Sequence, residues 1–258
     1  MLTEDQRAFY QEQGYVLVKG LFSQEEADVY RQECHALLQR LAKMQNLDAT
    51  WGSARVAVPE ARTTQVLHCH DVQFYSAAFS RLLVDERLTA ATADLIGSPN
   101  VQLHHTKIFV KPPERGSPFP MHQDYPFFPH TRSTMLAAIV HFDAAPVAKG
   151  CIRVVPGSHR LGPLEHEEEG GWHLPFSQYP ITTSVPCEAL PGDVLFLSYL
   201  TIHGSGINSS NEARTTLLVQ MRDPLDRPAK DVHRSRGQGM ILRGIDPLGI
   251  MSQNLSRT

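Results

Sequence analysis

The pattern of apolar and polar positions changes character near residue 100. Before that point the period is helical. After Ser23, the apolar positions Ala27, Tyr30, Cys34, Leu37, Leu38 and Leu41 recur at three- and four-residue steps, which predicts a long amphipathic helix with that stripe as core. Thr3 with Gln6, and Ser23 with Glu26, have the capping-box spacing of a helix start. A further helix is predicted over 85–96, stopped by Gly97 and Pro99. Between these helices, 48–64 contains Gly52 and Pro59, has no clear period, and reads as a loop able to cover a site mouth. From Val101 the chain reads as short strands at 102–110, 135–142, 152–155, 184–188, 194–199 and 215–222. Pro112-Pro113, Pro156-Gly157-Ser158 and Pro191-Gly192-Asp193 supply turn chemistry between them. Many short strands at this spacing point to a sandwich or jelly roll.

Composition narrows the class. A length of 258 residues suits one large domain or two small ones, and barrel-like β folds reach this size as one unit, so a single domain is expected. With 41% hydrophobic and 20% charged residues the chain has material for both a core and a polar surface. It contains no run of about 18 apolar residues, which argues against a membrane-spanning helix. The stretch Met1–Gln6 is too polar and acidic for a secretory signal, and Leu255–Thr258 does not match a peroxisomal address. Cys34, Cys69, Cys151 and Cys187 form no Cys-x-x-Cys pair, which predicts buried free thiols in a reducing, cytoplasmic setting. A formal charge of −3 gives no reason to expect nucleic acid as a partner. Glu165–Glu169, the one charge run, reads as a solvated loop.

Candidate chemistry lies in His122-Gln123-Asp124 and in His203-Gly204-Ser205, with Arg214 eleven residues beyond the second histidine. Residues i and i+2 of a strand share a face, so His122 and Asp124 could aim an imidazole nitrogen and a carboxylate oxygen at one point. With His203 from a neighbouring strand, two imidazoles and a carboxylate would form the facial set of non-haem Fe(II) oxygenases. The planar, permanently charged guanidinium of Arg214 suits a carboxylate. A lone His-x-Asp is more often an ordinary histidine than a ligand; the joint pattern carries the argument. His68-Cys69-His70 could also bind metal, but no third ligand stands close in sequence, and a structural or pocket-lining role is favoured. Strand alternation would send the adjacent His104 and His105 to opposite faces, which excludes them as a ligand pair.

These motifs resemble the phytanoyl-CoA dioxygenase family of Fe(II)/2-oxoglutarate oxygenases, over about 4–223. The resemblance is carried by Tyr15–Phe22, Lys111-Pro112-Pro113, His122-Gln123-Asp124, Gly150–His159, Pro191–Val194, His203–Asn208 and Arg214. It implies a mainly β fold with flanking helices around a double-stranded β-helix, the cupin-like jelly roll. Residues 1–100 would be mainly helical support, 101–223 the core and 224–258 a C-terminal extension. It further implies His122, Asp124 and His203 as iron ligands and Arg214 with Ser205 as the clamp on the distal carboxylate of 2-oxoglutarate. Lys107 and Gln123 stand where some members line the cosubstrate pocket; a solvated strand lysine and an outward glutamine are equally good readings.

The implied reaction consumes O₂ and 2-oxoglutarate, releases succinate and CO₂, and oxidises a C–H bond of a small organic molecule, with hydroxylation as the default outcome. Desaturation, epoxidation or rearrangement would need the same residues. Related halogenases replace the ligand carboxylate with a small residue, and Asp124 therefore argues against halogenation. Tyr125 and Phe128 after the dyad, Trp172 in the 163–183 insert, and Arg222 are the substrate-contact candidates. The same side chains also read as packing anchors and a surface ion pair. A hydroxylase of secondary metabolism is the leading reading; an acyl-CoA 2-hydroxylase and a non-catalytic jelly-roll binding module are the alternatives.

Overall fold

A computed structural model describes residues 1–43, 67–114, 116–167 and 172–249. The loop expected at 48–64 lies outside the described residues. Both predicted capping boxes form. Helix α1 (Glu4–Gln13) starts with Gln6 N–H donating to Thr3 Oγ1 at 3.2 Å while Thr3 N–H donates to Gln6 Oε1 at 2.9 Å. Helix α2 (Gln24–Lys43) starts with the same exchange between Ser23 and Glu26. Two orphan donors are satisfied at each helix start, a contribution of about 1 kcal/mol per cap.

The α2 stripe packs as its period demands: Ala27, Cys34, Leu37, Leu38 and Leu41 are buried and Tyr30 is half-buried against them. A short helix, α3 (Ala77–Leu83), was not expected from the period and buries Phe79, Leu82 and Leu83. Helix α4 (Glu86–Ile96) begins at the N-cap Asp85 and ends at Gly97, which takes the left-handed conformation. Their apolar faces cover one face of a large antiparallel sheet.

The strands are β1 (Tyr15–Val18), β2 (Leu67–His70), β3 (Val101–Lys111), β4 (Phe119–His122), β5 (Leu136–His141), β6 (Ile152–Val154), β7 (Val185–Cys187), β8 (Val194–Ser198), β9 (His203–Ser205), β10 (Arg214–Arg222) and β11 (Ile241–Arg243). The larger sheet runs β1-β8-β5-β10-β3-β11, with β2 also paired to β3. The smaller runs β4-β9-β6-β7. Two curled antiparallel sheets facing each other are the jelly roll that the strand spacing predicts. The segment expected to be helical support also donates β1 and β2 to the larger sheet, and the C-terminal extension returns to it as β11.

Alternation separates the two faces of the large sheet. Ile108, Val110, Leu217, Val219, Ala138 and Val140 point out to the helices and join one buried cluster with them. Ala137, Ile139, Leu195 and Leu197 point inward and meet Ile152, Val154 and Cys187 of the small sheet. Each such fully buried Leu, Ile or Val contributes roughly 1.5–3 kcal/mol relative to exposure. At the open end of this sandwich the inward positions of β3 and β10 turn polar, and a cavity forms there.

A bulge corrects one expectation. The β10–β3 register steps from Gln220↔His105 to Met221↔Leu103, which leaves His104 as an extra residue on β3. A bulge rotates its extra residue out of strict alternation. His104 and His105 therefore lie on the same side, both against Phe128, with their Nδ1 atoms 2.7 Å apart.

Candidate active site

His122 closes β4, and its register partner is His203 on β9. Their ring centroids are 4.4 Å apart. Asp124 does not continue the strand. Its backbone is helical, φ −73° and ψ −24°, and its N–H donates to Tyr199 O at 3.0 Å. The strand-face argument for the dyad is thus corrected: a turn after β4, rather than strand alternation, swings the carboxylate back beside the imidazoles. Asp124 Oδ1 lies 3.7 Å from both His122 Nε2 and His203 Nε2. Among the described residues these three side chains form the one cluster of His, Cys, Asp or Glu whose ligand atoms all fall within 4.8 Å.

The hydrogen bonds fix the tautomers. His122 Nδ1 is 2.7 Å from Pro120 O and His203 Nδ1 is 3.0 Å from Thr201 O. A carbonyl only accepts, so each Nδ1 carries the proton and each Nε2 presents a lone pair toward the common point. Burial, with the neighbouring imidazole, holds His122 at about 4; burial holds His203 at about 4. Both are therefore neutral at physiological pH. Burial raises the Asp124 carboxyl, a shift opposed mainly by His122. Two neutral imidazoles and one carboxylate with a shared open face fit a divalent non-haem iron.

The cavity beside the triad encloses about 800 Å³ including its open mouth. Its floor is the inward row of β10, Arg214, Thr216, Leu218 and Gln220, in register with Lys111, Phe109, Lys107 and His105 of β3. At a rise of about 3.4 Å per residue the row runs roughly 20 Å from Arg214 to Gln220. Arg214 is 2% exposed. Its Nη1 donates to Gly150 O at 2.6 Å, and burial lowers the guanidinium to about 10. Asp143, behind it, is engaged by Thr215 N–H at 2.8 Å and by Arg31 at 3.3 Å. Among the described lining residues Asp124 is the sole acid, so the Arg214 end presents positive charge to whatever enters.

A second cation at that end was not assigned from sequence. Lys111 is fully buried, and its Nζ donates to Ser205 Oγ at 2.7 Å and to Gly206 O. Because Ser205 Oγ accepts there, its own O–H is left to donate into the cavity. Lys111 was visible in the Lys-Pro-Pro motif, and its position four residues after Lys107, on the same strand face, was the available signal.

The remaining candidates divide. Lys107, Ser205, Phe128 and Arg214 line the cavity. Gln123 does not. Its amide donates to Gly162 O at 2.9 Å and Leu200 O at 2.7 Å, and its Oε1 accepts from Leu164 N–H at 2.9 Å. The turn that brings Asp124 back sends Gln123 the other way, where it clips two loops together. Tyr125 packs on Tyr199, 5.5 Å between centroids, outside the cavity lining. Trp172 is 41% exposed, lies outside the cavity lining and packs on Phe127, 5.4 Å between ring centroids. Arg222 sits past Gln220 with its guanidinium on Asp226 O and Asp223 O, holding the turn after β10. His70, read from sequence as structural or pocket-lining, lines the cavity, and so do His105, Gln220 and His233, which were not singled out as site residues.

Comparison with known proteins shows the family and the fold. The family model described as phytanoyl-CoA dioxygenase (PhyH) matches residues 10–216. A probable phytanoyl-CoA dioxygenase of Caenorhabditis elegans is 30% identical over 237 residues, 84% of this chain and 74% of that protein. Among solved structures, SnoK, a non-heme alpha-ketoglutarate-dependent carbocyclase from nogalamycin biosynthesis, superposes with a TM-score of 0.73 at 24% identity, covering 93% of each chain. SnoN, an epimerase solved with Fe3+, alpha-ketoglutarate and nogalamycin RO, superposes with a TM-score of 0.71 at 24% identity, covering 93% of this chain and 98% of its own.

Proposed function

Because the chain belongs to the phytanoyl-CoA dioxygenase family of iron(II)- and 2-oxoglutarate-dependent oxygenases, we propose that His122, Asp124 and His203 hold its iron and that Arg214, Ser205 and Lys111 hold the distal carboxylate of 2-oxoglutarate. The observation that carries this reading is the pairing of two ends in one cavity: a cluster of metal-ligand atoms at one, and buried cations at the other, with Asp124 the sole acid among the described lining residues. A non-catalytic binding module would gain nothing from a keto-acid clamp joined to such a triad.

When bound, iron with 2-oxoglutarate and O₂ supplies the oxidising power for a C–H bond, and succinate and CO₂ are released. The chain's own contribution is position and exclusion of water. Pro120 O and Thr201 O keep both ligand imidazoles in the tautomer that binds metal. Lys111 fixes the Ser205 hydroxyl as an acceptor, so that it donates to the carboxylate that Arg214 grips. Phe109, Phe119, Ile139, Ile152 and Leu218 wall the span between, and their low polarity strengthens each charged contact inside it.

Hydroxylation of a small organic molecule by a single catalytic domain, 1–258, is the outcome proposed. Helical support over 1–100, the jelly-roll core over 101–223 and the 224–258 extension would together make that unit. The His- and Phe-lined cavity supports a small substrate over a long acyl-CoA. Four free, buried cysteines support a reducing, cytoplasmic setting, and among the described residues no helix is long and apolar enough to cross a membrane. Succinate release from 2-oxoglutarate that requires added Fe(II) and is lost in Asp124→Ala tests the reading; release that persists in the folded variant would contradict it.

A further inference from the structure

Two histidine motifs have no part in the chemistry above. They meet at the end of the cavity away from Arg214. His70 on β2 stands opposite Lys107 on β3, so both point inward. The bulge turns His105 into the same space, across from Gln220. His233 closes the rim from the C-terminal extension, in the left-handed conformation at φ 51°. That conformation is strained for a residue with a Cβ, and such strain persists where the surroundings demand it. Ring centroids lie 4.9 Å apart for His105 and His233, 6.4 Å for His70 and His233, and 6.5 Å for His70 and His105. Phe128 packs against two of these rings, at 5.5 Å from His105 and 5.4 Å from His233. Phe127 completes the wall toward His122.

The spacing bears on the kind of ligand. The ligand atoms of these three rings do not converge within 4.8 Å as those of His122, Asp124 and His203 do, and the wider spacing suits a polyatomic group. Burial holds His70 at about 3 and His105 well below its ordinary value, so both are neutral and do not repel one another; each carries one N–H, and His105 shares its Nδ1 with His104 at 2.7 Å. Lys107 adds a cation with its Nζ 4.9 Å from the Phe109 ring. Asp71, behind His233, has its Oδ2 on the Arg236 N–H at 3.1 Å. The chamber thus gathers donors and a positive charge around an apolar wall, with Asp124 as the sole acid among the described lining residues.

Building on the iron and 2-oxoglutarate assignment, we propose that the molecule to be oxidised is an organic acid: its carboxylate or phosphonate is received by His70, His105, His233 and Lys107, and its carbon skeleton lies against Phe127 and Phe128. The acid group then anchors the substrate at the rim, and a C–H bond a few atoms along the skeleton faces the triad. The arrangement favours an acid over a neutral molecule of the same shape, because hydrogen bonds from Lys107 or an imidazole N–H to a charged acid group are stronger than those to a neutral one.

The test uses full-length protein loaded with Ni(II) and saturating 2-oxoglutarate, which permits binding without turnover. Hexanoate, hexylphosphonate and hexan-1-ol are titrated calorimetrically. One or both acids should bind about tenfold or more tightly than the alcohol, as one or two charge-assisted hydrogen bonds imply; which acid binds better identifies the group. Lys107→Met and the exposed-rim variant His233→Ala should each reduce that preference while leaving 2-oxoglutarate affinity unchanged. Equal binding of acid and alcohol, or no acid binding, overturns the proposal, as does a preference that survives both variants. If Lys107→Met weakens 2-oxoglutarate instead, the lysine belongs to the cosubstrate and the proposal falls. Failure of the wild-type Ni(II) protein to bind 2-oxoglutarate at all is a separate result, and it overturns the underlying assignment.

Discussion

Replacing Lys111 with Met separates what this buried lysine does for binding from what it costs in stability. The two side chains are of similar length, so packing is nearly kept while the charge is removed. Desolvation, followed by the nearby Arg214, pushes the Lys111 amine well below its ordinary value of 10.5. The unfolded chain therefore holds that proton more tightly than the folded one, so burying the charged amine costs stability below the ordinary lysine value. The lysine accordingly lowers stability at neutral pH, and the penalty fades as pH rises toward the ordinary lysine value. Lys111→Met should melt at or above the wild-type temperature at neutral pH, with the gap closing in alkali. Cosubstrate binding moves the other way. The variant loses the donor to Ser205 Oγ and a positive charge behind the distal carboxylate. A hydrogen bond involving a charged group contributes about 1.5–3 kcal/mol, so the dissociation constant of 2-oxoglutarate should rise roughly 10- to 150-fold. Arg214 remains, and binding is weakened rather than lost. Anaerobic calorimetry of 2-oxoglutarate into the Fe(II)-loaded variant, with thermal melts at two pH values, reads both effects. A dissociation constant within about threefold of wild type, with the fold intact, would refute the reasoning.

Arg214→Ala removes one partner of the proposed buried carboxylate pair, a loss of about 2–5 kcal/mol; 2-oxoglutarate affinity should fall by a factor of roughly 30 or more while Fe(II) affinity measured without cosubstrate is unchanged. Gly150→Ala places a Cβ 2.3 Å from Gly206 O at a backbone φ of 67°; the variant should lose about 3 kcal/mol or more in denaturant unfolding and should bind 2-oxoglutarate less well, because Gly150 O anchors Arg214. Burial, with Arg214 nearby, holds His141 at about 3 when folded, against 6.5 ordinarily. The unfolded chain therefore gains a proton below about 6.5 that the native state refuses, and stability falls as pH drops from there toward 3. In His141→Phe that acid slope should be shallower by up to about 1.4 kcal/mol per pH unit, read from melts across the range.

What could be read in sequence was what local physics controls. The α2 stripe and both capping boxes depend on residues three and four apart, and they formed as spaced. Six strands from 102 onward announced themselves by period and turn chemistry, whereas β4 and β9, which carry the triad histidines, are too short to show a period. Helix α3 is too short to show a period, and β2 and β11 exist through pairing with β3, a tertiary event. The site was legible through its motifs but not through its geometry. Asp124 reaches the triad by a turn, and that turn diverts Gln123 into clipping Gly162 and Leu200. Several motif residues hold the scaffold together: Asp193 accepts from Gly20 and Leu190, Ser158 from Ile202, and Asn208 ties Lys111 and Pro112 to Glu212. His104 and His105 were misjudged because a bulge depends on a register step that neither residue announces.

The most direct test of the central claim is anaerobic. Fe(II) and 2-oxoglutarate are added to the purified protein, and the weak visible charge-transfer band of the chelated pair is recorded. The band should appear in the wild type with one iron per chain and vanish in His203→Ala. A well-folded wild type without the band, or a band that His203→Ala leaves intact, would contradict the assignment of this cavity.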